Sequence, residues 1–520
     1  MALLGIDVGT SSSKALVCDD AGSVVGVGSA THPIAMPRPG WTEQHPRDWW
    51  RSAVRAARLA LEAAESRGVP ANDLRAIGLS GQMHGMVLLN ADTIARGGRD
   101  ADALRPAILW NDQRTADQCA QIESVLGGRP ATVAQTGNAA LAGFTLPKLL
   151  WMRAHEPAVL DGAAALLLPK DFVGFCLTGR LATDVGDASG TLLFDVDARA
   201  WNPRVIEAFG IDPAILPAAY ESCAPVGEVT DHAAAELGVP AGVPVVAGSG
   251  DNMAGAIGAG ITEPGSVLVT LGTSGVVYAH ADAPHRDLPA DPARPAGRLH
   301  TMCAATGTAH APGAWCVTGC LLSAAGALEW ARTKVWPNSP IDDLMREAAD
   351  APLGCEGLKF LPHLTGERCP HPDPGARGGW VGLTARHDRG SMVRAILEGV
   401  ALNLATILDL HRAAGISVAA VRIGGGGARS ELWRQIVADT LAEPIVSLEA
   451  EEGPAHGAAL LAGVGAGLFA SVRAACARAI RTGEVREPID AHASRYAAIR
   501  ERYEAIYPAL QPIVSPLSDS

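Results

Sequence analysis

The strongest constraint on the fold is a turn that occurs twice, once near the start of the chain and once just past its midpoint. Gly9-Thr10-Ser11 follows the apolar run 3–8, and Gly272-Thr273-Ser274 follows the apolar run 267–270. Another apolar run follows each turn, so each predicts a β-hairpin. Because 520 residues exceed what one hydrophobic core holds, the repeated hairpin predicts two related domains.

Apolar runs of strand length alternate with helical patterns in both halves, which is typical of α/β domains. The first hairpin extends into a three-stranded meander, and Pro46 begins a helix that ends near Ser66. Further strands are predicted at 77–80, 107–110, 243–247, 418–423 and 445–447, and helices at 146–154, 170–177, 321–334, 392–414, 452–467 and 494–507. The segments 184–195 and 282–297 are predicted as loops. The expected domains are 1–255 and 256–490, followed by a C-terminal helix and tail at 491–520.

Charge and composition exclude several classes of function. The net charge of −13 argues against a nucleic-acid partner, because phosphate backbones are bound by basic surfaces. Ten cysteines are scattered without a Cys-x-x-Cys pair, which indicates reduced thiols and no zinc site. Residues 1–20 lack the pattern of a signal peptide, and the longest weakly polar run, 457–472, is too short to span a bilayer comfortably. We therefore expect a cytoplasmic protein that has no membrane partner.

One acidic residue stands at a strand-to-helix break near the middle of the chain. The apolar run 243–247 ends at residues 248–250, and Asp251 and Asn252 then begin a helix of small residues. Loops held between rigid elements commonly carry functional side chains. Asp251 is therefore a candidate catalytic residue. The alternative is a helix cap, which is the commonest role of Asp at such a place.

Three glycine-rich turns at strand ends are suited to binding phosphate groups. They are the two Gly-Thr-Ser turns and the run Gly-Gly-Gly-Gly-Ala-Arg-Ser at 424–430. Glycine lets consecutive backbone N–H groups point at one anion, and Thr and Ser add hydroxyl donors. Asp7 lies just before the first turn, where a carboxylate suits Mg²⁺ better than it suits a strand interior.

Two common nucleotide motifs are excluded by inspection. No Lys follows a Gly, so the chain has no P-loop. The Gly-x-Gly-x-x-Ala match at 465–470 follows a helix rather than a strand, which argues against a Rossmann site.

In order and spacing, these motifs resemble those of the FGGY family of carbohydrate kinases, within the larger fold of actin, hexokinase and the heat-shock ATPases. Residues 5–11 are similar to the first phosphate motif, 271–275 to the second, and 424–430 to the adenosine motif. The segments that are similar to other family signatures are 144–151, 250–252, 362–368 and 379–383. The resemblance runs from Leu4 to about Leu468.

The resemblance implies an α/β fold of two ribonuclease H-like domains with a central cleft, and phosphorylation of a sugar by ATP. Asp251 would be the general base and, with Met83, His84 and Asn252, would contact the sugar. Asp7 would hold Mg²⁺. The residues that would bind ATP are Thr10, Ser11, Gly272, Thr273, Gly425, Gly426, Ala428 and Arg429. A homodimer is left open.

The expected substrate, D-xylulose, rests on the loop Gln82-Met83-His84-Gly85, which is similar to that of the family members that phosphorylate this sugar. Glycerol kinases carry charged residues there. By its chemistry, His84 can donate a hydrogen bond to a hydroxyl, and Met83 can cover sugar carbons. The alternative is a loop histidine that is satisfied within the protein.

Two departures from the family pattern affect these expectations. Ser391 occupies a place where an acidic or amide residue is usual, at the start of a predicted helix. Residues 139–142 lack an arginine that binds the sugar in some relatives, which leaves the far end of the sugar unassigned.

Two alternative functions stay open at this point. One is a kinase for another ketose or polyol, such as ribulose or glycerol. The other is a non-catalytic, nucleotide-gated interaction protein, which would bind ATP through the same turns and would need neither Asp251 nor a sugar site.

Overall fold

The computed structural model describes residues 1–291, 294–449 and 452–515. The strands of the first half are β1 (Ala2–Val8), β2 (Ser12–Asp19), β3 (Val24–Thr31), β4 (Glu43–Gln44), β5 (Leu74–Gly81), β6 (Val87–Leu89), β7 (Ala107–Ile108), β8 (Ala165–Leu167), β9 (Ala182–Asp184), β10 (Phe194–Asp195), β11 (Ala200–Trp201), β12 (Ala218–Tyr220), β13 (Pro225–Glu228), β14 (Pro244–Val246) and β15 (Ser249–Gly250). Those of the second half are β16 (Ser266–Leu271), β17 (Gly275–Ala281), β18 (His300–Cys303), β19 (Trp315–Leu321), β20 (Lys359–Leu361), β21 (Gly379–Val381), β22 (Ala420–Gly424), β23 (Ile445–Leu448) and β24 (Thr482–Arg486).

The helices alternate with these strands. In the first half they are α1 (Pro46–Glu65), α2 (Ala91–Ala95), α3 (Ala116–Val125), α4 (Arg129–Thr136), α5 (Thr145–His155), α6 (Pro157–Asp161), α7 (Pro169–Thr178), α8 (Val185–Ser189), α9 (Pro203–Ala208), α10 (Asp231–Leu237) and α11 (Asp251–Gly258). In the second half they are α12 (Ala325–Trp330), α13 (Ile341–Asp350), α14 (Arg389–Ala413), α15 (Glu431–Leu441), α16 (Pro454–Gly465), α17 (Val472–Ala479), α18 (Asp490–Tyr503) and α19 (Ile506–Val514).

Each half is built on one large mixed sheet, and the two sheets share a topology. The first has the strand order β13-β14-β5-β1-β2-β3, and the second, read in the same sense, β24-β23-β22-β16-β17-β19-β18. In the first sheet, β2 pairs antiparallel with both β1 and β3, and in the second, β17 pairs antiparallel with both β16 and β19. The first strand of each hairpin is parallel to a later strand, β1 to β5 and β16 to β22. Those later strands are in turn parallel to β14 and β23. The predicted pair of related α/β domains is confirmed.

Helices α11 and α16 pack together where the two halves meet. Helix α16 belongs to the second half of the sequence but lies against the first sheet. The approach is so close that a Cβ on Gly5 would stand only 1.9 Å from the Ala455 carbonyl oxygen. Gly457 makes an equally close approach to α11, where an added Cβ would lie 1.8 Å from the Ala254 oxygen. Lys14 of β2 also forms an ion pair with Glu452, at 2.8 Å. The domain boundaries given above remain a prediction.

Two predicted segments differ from the structure. The expected loop at 184–195 is wrong: it contains the end of β9, helix α8 and strand β10, and Asp184 and Asp187 are buried. The pattern misled because these carboxylates gain a buried lysine partner. The expected helix at 321–334 starts late, because Leu321 ends strand β19 and α12 begins at Ala325. The described part of 282–297 contains no helix or strand, whereas 292–293 and the tail 516–520 lie outside the described residues.

The longest helix of the second half, α14, is a core element. It is long and apolar enough to cross a bilayer, but 89% of its most apolar window is buried inside the protein. Asp388 caps its first turn by accepting hydrogen bonds from the backbone N–H and the hydroxyl of Ser391, at 2.8 and 2.7 Å. The departure at Ser391 therefore lies at a helix cap.

Candidate active site

Asp251 lies where the first sheet meets helix α11. The strand β15 pairs with β5 and ends at Gly250, which is the N-cap of α11, so that Asp251 is the first residue of the helix. No side chain caps this helix start, so the N-cap alternative does not describe Asp251. Burial raises the pKa of Asp251 to about 7, and the negative charge of Asp7 adds to the rise. The helix start presents a carboxylate that binds its proton unusually tightly.

Asp7 occupies the second acidic position of the site, near the end of β1. Burial raises its pKa to about 6, against the opposing effects of Ser80 and Lys14. Its Oδ1 is buried without a hydrogen-bond partner, as is Gln82 Oε1 just after β5. Such orphaned oxygen atoms at the carboxyl edge of a sheet fit a cation or hydrated ligand, because buried polar atoms otherwise find partners. The residues present therefore fit a Mg²⁺ ion held through oxygen ligands.

The predicted sugar loop lies against the start of α11. Met83 is only 3% exposed, and its Sδ is 3.7 Å from Nδ2 of Asn252. A Cβ added to Gly250 would stand 2.6 Å from Cγ of Met83, so glycine permits this approach. The structure thus brings Met83, Asn252 and Asp251 together, although 168 positions of sequence numbering separate Met83 from Asp251.

His84 is held rigidly in this loop. It has a φ of 68°, is 7% exposed, and stacks on Phe144 with the ring centroids 4.4 Å apart. Lys148 Nζ donates to the His84 carbonyl oxygen at 2.7 Å and so fixes the unusual backbone. Side-chain Nδ1 lies 2.9 Å from the carbonyl oxygen of Gly190.

These contacts determine the protonation of His84. Burial lowers its pKa well below the usual value, and the charges of Lys148 and Arg368 lower it further. The ring is therefore neutral, and its Nδ1–H donates to the Gly190 carbonyl. Nε2 then carries a lone pair, so it can accept a hydrogen bond but cannot donate one. This tautomer does not suit the expected donation to a hydroxyl, and the contact between His84 and the sugar remains a prediction.

A buried charge cluster, which the sequence interpretation missed, lies beside the strand that leads to Asp251. Lys170 Nζ lies 2.5 Å from Asp171, 2.8 Å from Asp184 and 3.8 Å from Asp187. Burial opposes the charged lysine, but the three carboxylates raise its pKa. Asp184 also accepts a hydrogen bond from Ser249 Oγ at 2.9 Å, which anchors the strand that leads to Asp251. The spacing Asp184-x-x-Asp187 after a strand was the available signal, but lysines are so rarely buried that Lys170 gave none.

The first Gly-Thr-Ser turn closes the end of the β1–β2 hairpin. Thr10 Oγ1 accepts a hydrogen bond from Trp110 Nε1 at 3.0 Å, and its carbonyl oxygen accepts one from Gln44 Nε2 at 2.6 Å. Ser11 is exposed at the tip. The turn is thus fixed by its neighbours, and a side chain at its tip remains accessible.

The second turn and the run 425–429 form one surface. A Cβ on Gly425 would lie 2.6 Å from the Leu271 carbonyl carbon, and the residue has a φ of 88°, so only glycine suits this contact. Gly272, Thr273 and the short turn Gly426–Arg429 border the same edge of the second sheet. Thr273, Gly426 and Arg429 are exposed, and Ala428 is half-buried.

A cavity of about 230 Å³ separates the two halves beside Asp251. Asp251 and Asn252 border it on the side of α11, and Thr270 and Tyr278 on the side of the second sheet. Asp251 therefore borders a space between the two halves, as expected of a residue in a cleft between two domains.

Comparison with known proteins agrees with this arrangement. The sequence matches the profile of the N-terminal domain of the FGGY family of carbohydrate kinases over residues 2–258 and that of the C-terminal domain over residues 267–466. It is 37% identical over 516 residues to the xylulose kinase of Escherichia coli K12, which covers 98% of this chain and 100% of the relative. It is 36% identical over 505 residues to the xylulose kinase of Bacillus subtilis 168, which covers 97% and 96%.

A solved structure shows the same architecture over the whole chain. The crystal structure of a "xyloylose kinase" from Brucella ovis has a TM-score of 0.88 at 35% sequence identity and covers 99% of this chain and 100% of that one. The fold, the two family profiles and the near full-length relatives agree. This chain belongs to the FGGY family of carbohydrate kinases and is a sugar kinase.

Proposed function

We propose that this chain transfers the γ-phosphoryl group of ATP to the terminal hydroxyl of D-xylulose, giving D-xylulose 5-phosphate and ADP in the cytoplasm. The choice of sugar is supported by the similarity to xylulose kinases over nearly the full length. The observation that carries the chemistry is Asp251, a carboxylate with a pKa of about 7 beside the Met83 loop.

In this mechanism Asp251 is the general base. It accepts the proton of the sugar hydroxyl while the hydroxyl oxygen bonds to the γ-phosphorus. The bond from that phosphorus to the β–γ bridging oxygen breaks, and ADP leaves with the electron pair. A pKa of about 7 suits the role, because such a carboxylate is largely ionised above pH 7 and yet remains basic.

The sugar would lie along the Met83–His84 loop. Nε2 of neutral His84 accepts a hydrogen bond from a hydroxyl, Met83 covers carbon atoms, and Asn252 offers an amide beside Asp251. Because Lys148 and Phe144 hold the loop, the groups are oriented before the sugar arrives.

ATP would span the two turns. The amides and hydroxyls of Thr10, Ser11, Gly272 and Thr273 hold the phosphates, and Gly425, Gly426, Ala428 and Arg429 receive the nucleoside. Asp7 would hold Mg²⁺, which supplies positive charge against the phosphates when it is bound. Among residues 1–291, 294–449 and 452–515, no group of three or more His, Cys, Asp or Glu residues suits a metal. That fits an ion bound mostly by phosphates and water.

The proposal is tested by ADP release from ATP with a panel of D-xylulose, D-ribulose, L-ribulose and glycerol, measured against a sample without sugar. We expect D-xylulose to give the highest kcat/KM. Preference for another panel member would replace the substrate. ATP binding with no sugar-dependent ADP release from any member would favour the interaction protein.

A further inference from the structure

An arginine from the second half of the chain lies against Trp110 and Gly143 of the first half, and it has no charged partner among the described residues. Arg368 follows strand β20 in sequence, and its guanidinium carbon lies 5.9 Å from the ring centroid of Trp110. Its Nη2 is 3.3 Å from the place where a Cβ on Gly143 would stand. Among the described residues, its guanidinium makes no hydrogen bond or ion pair with another side chain.

The neighbouring carboxylate is already engaged and does not neutralise Arg368. Glu367 Oε2 lies 2.9 Å from His363 Nδ1, and its Oε1 accepts the backbone N–H groups of Leu322 and Arg368 at 3.0 and 2.8 Å. All five donors of the arginine side chain therefore remain available in the plane of the guanidinium.

A second unpartnered polar side chain lies beside it. His300, at the start of β18, is 5% exposed, and neither of its ring nitrogens has a hydrogen-bond partner. Burial and the charge of Arg368 lower the pKa of His300 to about 3, so the ring is neutral. Its ring meets the edge of Phe144 at 5.9 Å between centroids. A buried imidazole with two unmet nitrogens fits a ligand group, because such atoms are normally paired.

Phe144 joins these residues to the sugar loop. One ring contact of Phe144 is with His84 and the other with His300. Arg368 lies beside them, because its Nη2 is 3.3 Å from the place where a Cβ would stand on Gly143, the residue before Phe144. Its charge lowers the pKa of both histidines. His84, Phe144, His300 and Arg368 thus form one group of neighbouring residues, which we name the far-end cluster.

We propose that Arg368 and His300 hold the end of the sugar that is remote from Asp251, with Arg368 donating to the carbonyl oxygen of an open-chain ketose. The proposal rests on the proposed function. A carbonyl oxygen only accepts hydrogen bonds and a guanidinium only donates them, so the two groups are matched. Neutral His300 pairs with an adjacent hydroxyl, to which it can donate through one nitrogen and from which it can accept through the other.

The far-end cluster would also supply the contact that is missing at residues 139–142, where this chain has no arginine. Because Arg368 belongs to the second half and His84 to the first, the sugar would touch both halves at once.

The test compares Arg368→Met and Arg368→Lys with the wild type, using D-xylulose and xylitol, the alcohol that lacks the carbonyl. We expect Arg368→Met to raise KM for D-xylulose about 10- to 100-fold, since hydrogen bonds to charged groups have that effect. KM for ATP should stay within about twofold, and the preference for D-xylulose over xylitol should fall by a similar factor. Arg368→Lys keeps the charge without the planar fork and should recover part of the loss.

Arg346→Met, an exposed arginine on α13, is the matched control and should change neither KM. His300→Phe keeps the ring volume and should raise KM for D-xylulose about 2- to 10-fold with KM for ATP unchanged. Circular dichroism shows whether each variant is folded. If Arg368→Met does not fold, KM of Arg368→Lys for D-xylulose tests the role of Arg368 instead.

An unchanged KM for D-xylulose, or equal rises for sugar and ATP, would overturn the assignment. The two proposals fail in different ways. If the wild type prefers another ketose, only the named substrate fails, and the test is repeated with that ketose and its alcohol. If it prefers a polyol without a carbonyl, the role of Arg368 fails too.

Discussion

The two hairpins have the same backbone plan and different chemistry. In the first, Asp7 of β1 stands opposite Lys14 of β2 and beside Ser80 of β5. A carboxylate, an ammonium and a hydroxyl therefore meet at one register level, one step before the Gly-Thr-Ser turn ends the strand pair.

The second hairpin repeats these positions with neutral residues. Thr270 of β16 stands opposite Val276 of β17 and beside Gly424 of β22. Here the side chains offer little charge, whereas the backbone of the turn is packed against Gly425. The difference fits a division of work in the proposed mechanism: the first sheet would carry the groups that move protons and bind a cation, and the second would bind nucleotide mainly through its backbone.

The largest expected effect follows from removing the proposed general base, Asp251, from the first half. Asp251→Asn should lower kcat by about 10²- to 10⁴-fold, because the amide cannot accept the proton, while ATP still binds. Asp231→Asn is the matched control, since Asp231 is likewise the first residue of a helix and is exposed. Steady-state kinetics and ATP titration measure both. A kcat within about threefold of the wild type, with chemistry rate-limiting, would remove Asp251 from the mechanism.

The next effect compares equivalent strand positions directly. Asp7→Asn should lower activity by about 10²- to 10³-fold, and higher Mg²⁺ should restore part of it, because a charged ligand is lost. Thr270→Val should cost less than about threefold, since it removes only the hydrogen bond that Oγ1 accepts from the Val276 N–H at 3.2 Å. Similar losses in both variants would contradict the division of work between the hairpins.

The backbone role of the second half is tested by two glycines. Gly425→Ala should raise KM for ATP about 10- to 100-fold and leave KM for the sugar nearly unchanged, because a Cβ there meets Leu271 and φ is 88°. Gly379→Ala is the control, since an added Cβ has no atom within 4 Å and Gly379 has no proposed role in ATP binding. Steady-state kinetics with each substrate varied separately measures KM for ATP and KM for the sugar. Equal effects of the two changes would count against this contact.

The smallest effect is in the pH profile. Asp251 works as a base only when ionised, and its pKa is about 7, so kcat/KM should fall about tenfold from pH 8 to pH 6. Because the charge of Asp7 contributes to that raised pKa, the residual activity of Asp7→Asn should have its acidic limb at lower pH. An unshifted limb would show that the two carboxylates do not interact.

Much of the fold could be predicted from the local pattern of apolar and turn residues. The hairpins, helix α1 and the strand before Asp251 follow from apolar runs bounded by glycine, which the structure confirms. The exceptions have one physical origin, which is tertiary pairing of polar groups. Residues 184–195 look like a loop until Lys170 neutralises Asp184 in the interior. Leu321 joins a strand because β17 lies beside it.

The candidate site likewise has residues that the sequence predicted and residues that only the tertiary structure brings together. Motif order predicted Asp7, Asp251 and the glycine turns, whose placement at sheet edges is now described, and their roles remain predictions. His300 and Arg368 gave no signal in the sequence as candidate sugar ligands, since only folding brings His300 to Phe144 and Arg368 to Trp110. The tautomer of His84 was equally hidden, because it depends on the carbonyl group of Gly190.

The placement of α16 has a consequence for how the chain is made. The groove over β1 and β5 is filled by Ala455, Leu460 and their neighbours, which share a buried cluster with Leu3 and Leu16. The ribosome finishes the first sheet long before it reaches this helix. At about 5–20 residues per second, the roughly 200 residues in between take about 10–40 s to synthesise. During that interval the nascent chain exposes an apolar groove, and we expect a fragment that ends at Gly258 to require a chaperone to stay soluble.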